Sequence, residues 1–232
     1  MKVQCCFIID ATGSMGVWLD AAKTQTRTII KDITAEHPSA DLHIAAIFYR
    51  DFKDGPEVVV PFTSDIDLYL EEIDPVQPMG GDDTCEDMAG GFAEMLKLDW
   101  DPSAVKNAFL VCDAPGHGSQ WHDIVISDSY PNNEFGLSDL VTRTAIADIN
   151  FMVIKANDTL GPMITRMNDL FKAQGKTITV TDLVPQTPPR SSARDSPPGI
   201  VRREYGAPEP IALSRGVSRA VSDAIYDTLS PV

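Results

Sequence analysis

The sequence predicts an α/β fold: a doubly wound, mainly parallel six-stranded sheet with one short antiparallel edge strand, followed by a disordered C-terminal tail. Three observations predict it. Short apolar runs alternate with helical patterns from the N-terminus to about Leu183, which implies parallel strands with helices on both faces. Two of the runs, residues 3–9 and 108–112, are apolar almost throughout, as strands covered on both faces must be. Both end in a carboxylate, Asp10 and Asp113, at the strand ends where open α/β sheets place their ligands.

The elements follow in order. Residues 3–9 are the first strand. A helix runs over residues 17–36, with Ala22, Ile29, Ile30 and Ile33 turned inward at helical spacing. Residues 42–49 are the next strand. Asp54-Gly55 marks a tight turn, so residues 57–61 return antiparallel as a short edge strand, where Pro61 is tolerated. Ser64 caps a short helix that ends at Ile73. A loop rich in Gly and Asp, Pro78-Met79-Gly80-Gly81-Asp82-Asp83-Thr84, precedes a helix carrying Met88, Phe92, Met95 and Leu96. After the strand at residues 108–112 a long loop reaches Phe135. Residues 137–149 are helical, 151–155 a strand, 161–173 a helix and 177–180 the last strand.

Composition changes after Leu183. Residues 184–210 hold seven of the chain's 17 prolines and few large apolar side chains, too few to offset the entropy of ordering. The chain therefore divides into a folded domain, residues 1–183, and a Pro/Ser/Arg-rich linker, residues 184–232, in which residues 211–229 regain helical spacing. Thr187-Pro188, Ser196-Pro197 and Ser230-Pro231 place phosphorylatable hydroxyls in this tail.

The net charge is −15, and it belongs to the folded part: 13 basic and 29 acidic residues precede Val184, against six and five after it. Such acidity argues against nucleic-acid binding, which needs a basic footprint. The four cysteines, Cys5, Cys6, Cys85 and Cys112, contain no CxxC pair, so they read as buried reduced thiols. No leader precedes the first strand and no apolar stretch is long enough to cross a bilayer, so the expected location is cytoplasmic, without membrane contact.

Chemistry concentrates in three places. Asp10-Ala11-Thr12-Gly13-Ser14 sets a carboxylate and two hydroxyls at alternate positions of an extended turn, with Gly13 allowing tight folding. These are oxygen donors, the ligands a hard divalent cation prefers. Thr84 stands in the Gly/Asp loop, and Asp113 closes the second apolar strand. If the strands ending in Asp10 and Asp113 are neighbours, all three loops meet at one edge of the sheet.

At these residues the chain resembles the von Willebrand factor A domain, whose metal-ion-dependent adhesion site (MIDAS) reads DxSxS or DxTxS, then a distant Thr, then a distant Asp. Asp10, Thr12 and Ser14 match the first element, Thr84 the second and Asp113 the third. The likeness is closest to the A domains associated with alpha-type protein kinases. It is carried by Asp10-Ala11-Thr12-Gly13-Ser14-Met15-Gly16, Tyr49-Arg50-Asp51, the stretch from Gly81 to Gly91, Asp113-Ala114-Pro115-Gly116-His117-Gly118 and Asp128-Ser129-Tyr130-Pro131. The resemblance implies a Rossmann-like sheet ordered 3-2-1-4-5-6. It also implies Mg²⁺ or Mn²⁺ at Asp10, Thr12, Ser14, Thr84 and Asp113, with one position left for the Glu or Asp of a protein partner. The chain departs from the kinase-associated pattern in carrying no kinase-like segment, and Asp82 and Asp83 compete with Thr84 as the second element.

The expected function is therefore a non-catalytic protein-binding module. Two alternatives stay open: a metal-assisted hydrolase with His117 or His122 as base, and a kinase-linked regulatory fragment lacking its kinase domain. Against the first, Thr12 stands where a phosphatase-like DxDxT pattern needs an Asp, and no nucleophile elbow occurs. Each candidate also has a structural reading. Asp10 could cap a helix, Thr12 and Ser14 could be turn residues, and Asp113 could be a solvated loop residue. Thr84 could be an N-cap, with Asp87 three residues on. His117, His122 and Asp128 could form a second metal site, an acid–base pair or ordinary loop hydrogen bonds.

Overall fold

The computed structural model describes residues 1–132 and 136–183. Within them the chain forms β1 (Lys2–Asp10), a 3-10 turn (Gly13–Val17), α1 (Leu19–Glu36), β2 (Asp41–Tyr49), β3 (Val58–Thr63) and α2 (Ile66–Ile73). There follow α3 (Met88–Lys97), β4 (Val105–Cys112), α4 (Leu137–Ile146), β5 (Ile149–Lys155), α5 (Gly161–Lys172) and β6 (Thr179–Asp182). The expected tail and the end of the long loop at Phe135 lie outside the described residues.

The six strands form one sheet ordered β3-β2-β1-β4-β5-β6. All neighbours are parallel except β3, which returns antiparallel to β2 at the edge. This is the topology the resemblance implies. Strand alternation divides the side chains between two cores. Cys5, Phe7 and Ile9 face α1 and α2; Cys6 and Ile8 face α3, α4 and α5. That is why β1 reads as apolar throughout, and why the adjacent Cys5 and Cys6 lie in different layers. All four cysteines are free and buried, and burial pushes the Cys5 thiol up to about 12.

Strand limits shift from those expected by one to three residues, β4 most, opening at Val105 rather than residue 108; three helix ends differ for identifiable local reasons. The first helix starts at Leu19, because residues 13–17 wind as a tighter 3-10 turn. The helix expected to end at residue 149 stops at Ile146, since Asp148 takes a left-handed φ of 60° and Ile149 already opens β5. The helix before Ile73 is capped by Asp65 rather than Ser64: the Asp65 carboxylate accepts the Leu68 N–H at 3.0 Å. Asp65→Ala should lower stability by about 1 kcal/mol in urea denaturation, the usual cost of an N-cap.

β1 and β4 are direct neighbours in register, Ile9 opposite Val111. The chain therefore leaves the sheet at Asp10 and at Asp113 on the same edge.

Candidate metal centre

Backbone hydrogen bonds tie the loops on that edge together before any side chain is considered. Ala11 N–H donates to the Tyr49 carbonyl at 2.9 Å, and Met79 N–H to the Ala11 carbonyl at 3.0 Å. Gly13 N–H reaches the Gly80 carbonyl at 3.0 Å. A Cβ at position 13 would sit 2.9 Å from that same oxygen, so the close approach requires glycine. Glu86 N–H donates to the Pro115 carbonyl at 3.0 Å, and residues 86 and 116 form an isolated parallel bridge.

Asp10, Thr12, Ser14 and Asp113 come together as a chain of contacts. The Asp10 Oδ1 accepts both the backbone N–H (2.9 Å) and the hydroxyl (2.7 Å) of Thr12. The Thr12 and Ser14 hydroxyls lie 3.1 Å apart, and Ser14 Oγ donates to Asp113 Oδ1 at 3.0 Å across 99 positions of sequence. Asp10 and Thr12 are wholly buried, Asp113 is half-buried and Ser14 is exposed. The oxygens thus run from the interior to the surface.

Thr84 is placed differently. It is exposed, and among the described residues no hydrogen bond joins its hydroxyl to the other four. Nor does it cap α3: that role belongs to Asp87, whose carboxylate accepts the Gly90 N–H at 2.8 Å. Asp82 pairs with Lys53 at 2.9 Å, and Asp83 accepts the N–H groups of Cys85 and Ser129. The acidic side chain that this loop turns inward is Glu86, 2% exposed. A Cβ on Gly81 would lie 3.0 Å from Glu86 Oε1 and 3.5 Å from Thr12 Cβ, so Glu86 and Thr12 flank the same backbone. Sequence reasoning missed Glu86, because only the pairing of residues 86 and 116 turns it toward β1.

The electrostatics are one-sided. Burial raises the Asp10 carboxyl to about 7; the Thr12 hydrogen bonds oppose the rise, Asp113 adds to it, and Arg50 offsets part of it. Burial, reinforced by the charges of Asp10 and Asp51, raises Glu86 to about 9. Asp113 is also raised by burial, with Ser14 opposing. Asp10 Oδ2 and Glu86 Oε2 are both buried without a hydrogen-bond partner. Buried polar atoms are rarely left so. Two orphaned carboxylate oxygens beside two hydroxyls fit a hard divalent cation, which takes oxygen ligands and would supply the missing countercharge.

Gly81 has φ +84°, a conformation that side chains resist. Gly81→Ala should cost about 1–2 kcal/mol from backbone strain alone, and should disturb Glu86 as well. Gly16→Ala, whose methyl meets nothing within 4 Å, is the control. Urea denaturation of the two variants checks this.

A second polar cluster occupies the long loop. His117 is bonded at both ring nitrogens, Nε2 to Asp51 Oδ1 and Nδ1 to Asp128 Oδ1, each at 2.8 Å. Phe52 stacks on its ring and Tyr130 meets it edge-on. His122 Nδ1 faces the Asp123 carbonyl at 2.9 Å, and its Nε2 faces Asp128 Oδ2 at 3.0 Å. Burial pushes the Asp128 carboxyl up, but hydrogen bonds from His117, His122 and the N–H groups of Gly118 and Tyr130 outweigh it and bring it to about 2. Both histidines expected near one another are thus brought together, each with both ring nitrogens engaged.

Comparison with known proteins adds the following. The sequence profile of the von Willebrand factor A domain matches residues 4–148. The alpha-protein kinase vwkA of Dictyostelium discoideum is 27% identical over 154 residues, covering 64% of this chain and 24% of the kinase. The human von Willebrand factor A domain-containing protein 7 is 32% identical over 80 residues, covering 34% of this chain and 8% of that protein. The chain thus spans a quarter or less of these relatives. Among solved structures, the SpRpn10 VWA domain superposes with a TM-score of 0.55 at 14% identity, covering 79% of this chain and 90% of that one. The conserved hypothetical protein BatB of Bacteroides thetaiotaomicron gives 0.60 at 10% identity, covering 97% and 99%. At these identities the structures speak to the fold.

Proposed function

The chain belongs to the von Willebrand factor A domain family, and from that premise we propose that it is a non-catalytic binding module that captures an acidic side chain of a protein partner through a divalent cation. Domains of this family commonly mediate protein interactions, which supports a protein as the partner. Asp10, Thr12, Ser14, Thr84 and Asp113 hold Mg²⁺ or Mn²⁺. The observation that carries this reading is the buried, unpartnered Oδ2 of Asp10 beside the Thr12–Ser14–Asp113 hydroxyl and carboxylate chain.

Each residue has a separate task. Asp10 carries charge at the buried end, and Thr12 orients it through two bonds to one oxygen, which leaves the other free. Ser14 and Asp113 stand where the site meets solvent. Thr84 lies exposed on the neighbouring loop, so its contribution requires that loop to close inward. Glu86, whose carboxyl burial raises to about 9, would yield its proton to a bound dication and so add a carboxylate to the site. With Mg²⁺ held by these residues, a carboxylate from a partner would complete its oxygen ligands, since Mg²⁺ is seldom caged entirely by protein.

The partner should be captured from cell extract on immobilised chain in Mg²⁺, released by chelator, and absent with Asp10→Asn. Capture indifferent to both chelator and the substitution would refute the proposal.

A further inference from the structure

Cys85, His122 and Asp128 are separated by 37 and six positions of sequence. Their ligand-type atoms nevertheless all lie within 4.8 Å of one another, the Cys85 sulfur buried and the other two side chains nearly so. We propose that these three residues form a second metal site, distinct from the Asp10 cluster and selective for a zinc-like transition ion.

Three features of the geometry point there. The first is the placement of His122. Its Nδ1 faces the Asp123 carbonyl at 2.9 Å, and its Nε2 is turned into the cluster, 3.0 Å from Asp128 Oδ2. A ring held at one nitrogen by a backbone carbonyl, with the other nitrogen directed at neighbouring donor atoms, is oriented as metal-binding imidazoles are. Metal binding would exchange the Nε2–Asp128 hydrogen bond for coordination of both groups.

The second is the thiol. Cys85 is 0% exposed, and among the described residues its sulfur makes no hydrogen bond. A bound dication would displace its proton to solvent and leave a coordinated thiolate.

The third is the fixing of Asp128. Gly118 N–H donates to Oδ2 at 2.9 Å, while Tyr130 N–H and His117 Nδ1 hold Oδ1 at 2.8 Å each. The carboxylate is therefore aimed before any ion arrives. Tetrahedral zinc, with ligands at about 2.0–2.3 Å, sets them roughly 3.3–3.8 Å apart, so the widest separation, at most 4.8 Å, closes by about an ångström while the 3.0 Å His122–Asp128 contact opens slightly.

The donor set separates this site from its neighbour. One sulfur and one imidazole favour zinc over magnesium, whereas the Asp10 cluster offers oxygen alone. His117 belongs instead to a neighbouring group with Asp51 and Asp83, which offers no sulfur. A metal here would pin residues 85–86, beside the Gly/Asp loop, to the long loop after β4. That would fix two walls of the rim around the first site.

Cobalt(II) titration of the full chain tests this, with millimolar Mg²⁺ present and in the Asp10→Asn background so that the oxygen site does not report. A thiolate-to-cobalt charge-transfer band should grow in the near ultraviolet, saturate at about one ion per chain and be bleached by zinc. Cys85→Ser should abolish the band, and His122→Gln should weaken cobalt binding at least about tenfold. Absence of a thiolate band in folded Asp10→Asn protein would overturn the proposal, as would a band that survives Cys85→Ser. Neither outcome touches the Asp10 site, whose test uses magnesium.

Discussion

Asp10→Asn should abolish magnesium binding and, in chelator at pH 8, leave the protein more stable than the wild type. The two halves have one cause. Asp10 is wholly buried, its Oδ1 is occupied by Thr12, and its Oδ2 has no partner. Without a cation the ionised carboxylate is badly placed, as its rise to about 7 records. An amide of the same shape keeps the Thr12 bonds and sheds the charge. From an ordinary 3.8 to about 7, the charge penalty is on the order of 4 kcal/mol at 1.36 per unit. Burying the amide N–H₂ costs about 1–3 kcal/mol in return, so the net gain should be about 1–3 kcal/mol. The lost charge should weaken Mg²⁺ and Mn²⁺ by more than the ~10–100-fold typical of losing a mere supporting partner. Calorimetric titration and melts in chelator measure both halves. Equal metal affinity in wild type and variant would remove Asp10 from the ligand set.

The pH dependence of stability should be steep without metal and flattened with it. The native carboxyls of Asp10 and Glu86 are raised, from 3.8 to about 7 and from 4.5 to about 9. Between the ordinary and the raised value the folded state binds more protons than the unfolded one, so stability falls as pH rises. The cost is absent below about pH 4, grows for Asp10 until about 7 and for Glu86 until about 9, and is complete above. Metal-free protein should therefore melt progressively lower between pH 5 and pH 9 (on the order of several kcal/mol in total). Magnesium competes with these protons, so its affinity and its stabilisation should both rise over the same window. Melting curves at several pH values, with and without Mg²⁺, decide it. A metal-free profile that is flat, or that rises with pH, would show that the two carboxylates are not held protonated by the fold.

Local signals were strongest where the chemistry was local. Asp10, Thr12 and Ser14 sit within five residues, and the contacts among them follow from that spacing. Asp113 was readable because an apolar strand ended in it. Cap positions are less legible: Ser64 and Thr84 look like caps, yet Asp65 and Asp87, each directly before the first helical residue, take the roles. An N-cap depends on which residue leaves non-helical backbone for helix, and hydroxyl and carboxylate residues one or three positions apart give no local way to choose.

The amino-acid order alone determined the strand and helix segments, their two-faced burial and the strand ends that carry chemistry, because periods of 2 and 3.6 residues are properties of neighbouring positions. Tertiary structure decided which acidic side chains turn inward. Glu86 enters beside Asp10 only because its backbone pairs with residues 115–116, and Cys85, His122 and Asp128 meet only because two long loops are folded against each other. Those pairings join positions tens of residues apart, and nothing in the local pattern of either loop encodes where the other will lie.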